Sequence, residues 1–238
     1  MHRRRLLTLV GTGVAGSLAG CGGSGSGSGG GGSGSDGSSG GDGDSGSGGQ
    51  SIEDHPAAAN LAAQPRRGDL DGHVVLAFED PSCNLCRRFH RNTVPELQSN
   101  VVEPGLGAYV VRTYPIIYPW GEPATQALES TFARDEGAFW SLFDHYFQTQ
   151  PEFSGENVLD RTAAFLDEST DLDGAAVVAD AENRAHDEAV QADIAAAENA
   201  DLPQQTPIVL LFRDGQYVTR ANGSVSYDLI AETLGVEN

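Results

Sequence analysis

The chain has 238 residues, 39% of them hydrophobic, and sets 34 Asp and Glu against 14 basic residues for a net charge of −20. Every basic residue is Arg, and so acidic a composition leaves no basic face to neutralise phosphates, which excludes a nucleic-acid track. The acids are spread along amphipathic segments rather than gathered in a tail, the pattern of a hydrated, halophile-type surface whose self-repulsion is suppressed by salt.

Residues 1–21 read as a processed signal. Arg3-Arg4-Arg5-Leu6-Leu7 is a charged region of twin-arginine type, and the Gly-rich apolar run over residues 6–19 is too short to span a bilayer. Leu18-Ala19-Gly20-Cys21 resembles the lipobox of exported lipoproteins, which implies cleavage before Cys21 and lipidation of its sulfur. Residues 22–50 hold only Gly, Ser, Asp and one Gln, so they read as a flexible tether with a typical reach of roughly 30 Å. This organisation predicts an extracytoplasmic domain, residues 51–238, lipid-anchored to the outer face of the cell membrane. Export also takes the cysteines out of the reducing cytosol.

Within the domain, residues 74–78 form an apolar run read as a buried strand, ended by Asp80-Pro81. A helix is predicted over residues 86–100, kinked at Pro95, and a second strand over 107–114. Residues 123–200 turn helical, with two helices meeting near Asp135, a third around Phe165 and one or two Ala-rich ones after residue 175. The aromatic cluster over residues 139–147 reads as core. Strand character returns at 208–212, the tight turn Asp214-Gly215 makes a hairpin with 217–221, and residues 227–234 close as a helix. Crossovers plus a hairpin imply a mixed sheet.

The chemistry concentrates on Cys83 and Cys86, the only cysteines after residue 21, at the junction of the first strand and the first helix. A helix start stabilises a thiolate on Cys83, and Cys86, one turn on, is placed to attack a mixed disulfide formed there. Two other chemistries use the same residues. A soft-metal site would hold Cu(I) on Cys83, Cys86 and His90, whereas half a zinc site lacks two further ligands. A structural disulfide would only brace the turn of a surface adaptor, and so short a loop removes little chain entropy.

Phe78-Glu79-Asp80-Pro81-Ser82-Cys83-Asn84-Leu85-Cys86, Tyr114-Pro115, Pro119-Trp120 and Thr206-Pro207 before the hairpin together resemble the DsbA-like thioredoxin-fold oxidoreductases. The resemblance spans roughly residues 70–236. It implies an α/β, thioredoxin-like mixed β-sheet with an inserted all-helical subdomain at about 120–202. It also implies a redox-active disulfide between Cys83 and Cys86 as catalytic residues, a cis Thr206–Pro207 bond shaping the substrate groove, and no cofactor beyond the dithiol itself. The partners implied are thiol-containing exported proteins and a redox partner whose identity the sequence leaves open, as it does the direction of exchange.

Two departures stand out. The family's buried carboxylate, six residues before the first cysteine, is replaced by Ala77, and Asn84-Leu85 between the cysteines lacks a His. Glu79 and Asp80 lie close enough to serve in proton transfer, though the simpler reading is a solvated turn, and their charge would raise the Cys83 pKa. Ser169, Asp171, Asp173, Gly174 and Asp180 approach EF-hand spacing, but Asp171 or Asp173 as a helix cap explains them more simply. Asn222-Gly223-Ser224 is a glycosylation sequon, and His55, His73, His145 and His186 read as surface or packing residues. No metal ligand set is assigned.

Overall fold

A computed structural model describes residues 49–236. The predicted signal, its lipidation site Cys21 and nearly all of the 22–50 tether lie outside the described residues. Strand β1 (Arg66–Arg67) precedes β2 (His73–Glu79), α1 (Asn84–Asn92), α2 (Val94–Leu97) and β3 (Gly107–Thr113). Five helices follow: α3 (Gly121–Phe132), α4 (Glu136–Gln148), α5 (Val158–Ser169), α6 (Gly174–Glu182) and α7 (Asp187–Asn199). The hairpin β4 (Ile208–Arg213) and β5 (Gln216–Asn222) and the last helix α8 (Tyr227–Leu234) complete the chain.

The strands form one sheet in the order β1-β3-β2-β4-β5. β2 and β3 are parallel, with Val75 opposite Tyr109 and Glu79 opposite Thr113; the other pairings are antiparallel. This is the mixed sheet that the sequence predicts, and the fold is thioredoxin-like α/β with helices inserted between β3 and β4.

Strands β2 and β4 are buried on both faces, which is why they are apolar almost without interruption. Val75, Ala77, Val209 and Leu211 face the core shared with α1 and the helical block. Val74, Leu76, Phe78, Ile208, Leu210 and Phe212 face a second core closed by α7 and the segment around Ala57. Each fully buried large side chain contributes about 1.5–3 kcal/mol. The edge strand β5 is mostly exposed and correspondingly polar.

Where sequence and structure differ, the reasons are local. The helix after the cysteines starts at Asn84 rather than residue 86 and stops at Asn92. The break falls at Thr93, not at Pro95: Thr93 turns its hydroxyl to the Val225 carbonyl at 2.7 Å, and Pro95 sits in the first turn of α2, where no N–H is needed. Asp135 caps α4 through the Ala138 N–H, and Asp173 caps α6 through the Ala176 N–H. The aromatic cluster is core: Phe139, Phe143 and Phe147 are fully buried. His145 stacks on Phe165 with ring centres 4.0 Å apart, a packing role. Helix α7 is fastened to β3 by a buried ion pair, Arg112 to Asp193 at 2.6 Å, with the Thr113 N–H on the second carboxylate oxygen. Among the described residues no helix is long and apolar enough to cross a membrane.

Candidate active site

Strand β2 delivers the chain to the head of α1 through a tight turn in which the Cys83 N–H bonds the Asp80 carbonyl at 2.9 Å. Cys83 is the N-cap residue of α1, with extended backbone, and Cys86 lies in the first helical turn. Both thiols are free and both residues buried. The cis peptide Thr206–Pro207 faces them, with the Cys83 sulfur 3.3 Å from the Thr206 carbonyl oxygen. The structure thus brings together all four of the residues that the sequence singles out in this domain.

The two sulfurs are electrostatically unlike. The Cys86 thiol, hydrogen-bonded to the Cys83 sulfur, holds Cys83 down to about 6. The Thr206 contact and the N–H groups of Cys86 and Leu85 reinforce this against the opposing effect of burial. Cys86 is pushed well above the ordinary thiol range, first by burial, then by its bond to Cys83 and by the Glu79 charge. At neutral pH the outer sulfur is a thiolate and the inner one a thiol.

Glu79 and Asp80 correct the sequence reading: neither is solvated, and each is fully buried. Because β2 runs to residue 79, Glu79 shares the parity of Val75 and Ala77 and faces the cysteines. A carboxylate two residues further along the strand therefore lies on the same face as Ala77. Burial raises the Glu79 pKa to about 8, partly offset by a hydrogen bond donated by the Tyr109 hydroxyl. Its other oxygen has no partner among the described residues. Being largely protonated at neutral pH, Glu79 places little charge beside Cys83, so the expected upward shift of Cys83 does not occur.

Asp80 is a clasp. One oxygen accepts from the Ser82 N–H at 2.7 Å and the Ser82 hydroxyl at 2.6 Å; the other accepts from the N–H groups of Ile116 and Ile117, both at 2.8 Å. The loop after β3 is thereby tied to the cysteine turn. Gly121 is required there, since a Cβ would lie 2.5 Å from the Asp80 oxygen. From the helical block, the Gln150 amide donates to the carbonyls of Pro81 at 2.7 Å and Cys83 at 3.0 Å. Sequence reasoning missed Gln150, and it placed Glu79 near the cysteines without the strand parity along β2 that buries it there.

Around the cysteines the surface is apolar. Leu85, Ile116, Ile117 and Tyr118 are exposed, and a cleft of about 390 Å³ lies between Asn84, Tyr118, Trp120 and Phe153. His90 is no ligand in waiting: it stacks on Phe147 at 4.4 Å, and burial lowers its pKa to about 3. Among the described residues no group of three His, Cys, Asp or Glu could hold a metal ion, and the copper-site alternative finds no support.

A cysteine capping a helix start, a second a turn behind it, and a cis proline opposite, all on this mixed sheet, define a thioredoxin-like fold. The thioredoxin family model matches residues 62–227, and the chain belongs to that family. It is 25% identical over 96 residues to a probable disulfide bond formation protein D of Bacillus anthracis, a match covering 40% of this chain and 44% of that protein. The chain thus matches less than half the length of that curated relative. Among solved structures it is similar to oxidised BdbD of Bacillus subtilis, with a TM-score of 0.65 and 19% identity over 74% of this chain and 92% of that one. DsbA of Chlamydia trachomatis follows with a TM-score of 0.60 and 17% identity over 72% and 90%. The fold is the DsbA-like form of the thioredoxin fold.

Proposed function

We propose that the protein is a thiol–disulfide oxidoreductase acting on exported proteins, with Cys83 as nucleophile, Cys86 as resolving thiol, and Thr206 and Pro207 flanking the bound substrate. The observation that carries this is the asymmetry of the pair: Cys83 held down to about 6 and Cys86 pushed far above it, one helical turn apart. Starting from the disulfide form, a substrate thiolate attacks the Cys83 sulfur and the Cys83–Cys86 bond breaks. Cys86 leaves as a thiolate and takes a proton from Glu79. A second substrate thiolate then attacks its own partner sulfur, and Cys83 departs as a stable thiolate. The substrate dithiol loses two electrons and two protons; the protein ends as the Cys83 thiolate and the Cys86 thiol, one proton restores Glu79 and the other passes to solvent. A low Cys83 pKa stabilises that reduced product, which favours the oxidising direction. A redox partner able to accept two electrons restores the disulfide, and no bound cofactor takes part.

In this reading residues 1–21 direct export, Cys21 carries the lipid, and residues 22–50 hold the domain away from the outer face of the membrane. Two experiments test the proposal. Cys86→Ser incubated with a thiol peptide accumulates a mixed disulfide through Cys83 by mass spectrometry, and Cys83→Ser accumulates none; equal trapping by both overturns the roles. Cys21→Ser moves the protein from the membrane fraction to the soluble exported fraction; retention on membranes with unchanged processing overturns the anchor.

A further inference from the structure

Charge is unevenly placed in this acidic chain. Helix α1, Asn-Leu-Cys-Arg-Arg-Phe-His-Arg-Asn, holds three of the 14 Arg residues and no acid. Its buried face is Cys86, Phe89 and His90, so Arg88 and Arg91 are exposed and Arg87 is half-buried. Arg87 donates Nε–H to the Phe147 carbonyl at 3.1 Å. None of the ion pairs among the described residues uses any of the three. With Asn84 and Asn92 they line a cleft of about 180 Å³. Asn84 directly follows Cys83 and also borders the apolar cleft beside Tyr118. The expectation that no basic face remains is corrected here: among the described residues a small basic face survives, and it abuts Cys83.

Guanidinium groups are weakly hydrated planar forks that grip carboxylates in pairs. One exposed pair is weak, but three side by side act together on a chain already held at Cys83. At 1.5 Å per residue along the helix, Arg87 to Arg91 stand about 6–12 Å from Cys83. An extended substrate covers that distance in about two to four residues. In molar salt the screening length falls to about 3 Å, so direct pairs persist while long-range steering is lost.

We propose that the Arg87–Arg88–Arg91 face is a docking surface for acidic polypeptide, so that the site selects cysteines with Asp or Glu about two to four residues away. The surface adds no chemical step of its own, and the inference rests on the exchange reading above. The test uses the full chain in its disulfide form, with two dithiol peptides of equal length carrying Glu or Gln beside the cysteines, and dithiothreitol as an uncharged dithiol. The wild type oxidises the Glu peptide with a kcat/KM about tenfold above the Gln peptide, and the ratio shrinks as salt is added. The double substitution Arg88→Glu with Arg91→Glu reverses the preference, and Arg88→Lys with Arg91→Lys keeps part of it. A wild type without preference, or a preference that survives the double Glu substitution, overturns the docking surface. Failure of the wild type to oxidise dithiothreitol overturns the exchange reading instead.

Discussion

Tyr109 donates its hydroxyl hydrogen to Glu79 in a core from which solvent is excluded. The two residues stand on neighbouring parallel strands, β3 and β2. The bond favours the ionised carboxylate, and burial opposes it more strongly, leaving Glu79 at about 8. A group with that value gives and takes a proton near neutrality.

Glu79→Gln keeps the shape and a hydrogen-bond acceptor but cannot exchange a proton. The step that converts Cys86 between thiolate and thiol should slow by about 10²-fold or more, and the inflection near pH 8 in its rate profile should vanish. The stability comparison has a definite sign. The folded pKa of Glu79 is raised above its ordinary 4.5, so its stabilising contribution is complete below pH 4.5 and is lost as pH rises through about 8. Wild-type stability measured against Glu79→Gln by urea unfolding therefore falls across that window and levels off above it.

Alkylation rates should separate the sulfurs. Iodoacetamide should modify Cys83 with a half-maximal rate near pH 6, where its thiolate forms, while Cys86 stays unmodified in the folded protein through neutral pH. The depressed Cys83 pKa contributes stability above the ordinary thiol value of 9, and that contribution is lost as pH falls through about 6. Peptide mapping after timed alkylation reads both sites. Equal labelling of the two cysteines contradicts the asymmetry.

Asp80→Ala removes a buried acceptor from four donors, those of Ser82, Ile116 and Ile117. The orphaned N–H groups should lower stability by about 2–4 kcal/mol, and amide hydrogen exchange should rise at Ile116 and Ile117. Gly121→Ala attacks the same clasp by steric pressure on the Asp80 oxygen and should cost about 1–3 kcal/mol. Unchanged exchange at Ile116 and Ile117 in Asp80→Ala contradicts the clasp.

Much of this architecture is written in short-range pattern. The apolar runs of β2 and β4 declare strands buried on both faces, Asp214-Gly215 declares a hairpin, and Asp135 and Asp173 sit where helix caps belong. Cys83, Cys86, Thr206 and Pro207 stand out in the sequence because each occupies a junction between elements, and the fold brings the four together. Glu79 and Asp80 are misread because two acids before a proline look like a wet turn from within the sequence. Their burial depends on donors contributed from far along the chain: Tyr109 for Glu79, Ile116 and Ile117 for Asp80. Gln150 is invisible for the same reason, since a single amide carries no pattern. The basic face of α1 is hidden by the global acidity, although its Arg spacing is plain once the helix is known to start at Asn84.

The neighbours that complete the Cys83 environment arrive late in synthesis. Gln150 lies 67 residues beyond Cys83, and Thr206 lies 123 residues beyond it. Closing such long loops comes after local structure in the order of assembly. Until both have docked, Cys83 lacks the Thr206 contact and the braced turn that distinguish it from a thiol in a loose chain. On the proposed reading, an emerging polypeptide is therefore spared a fully activated sulfur of its own, and maturity of the reagent becomes a report that the domain has finished folding.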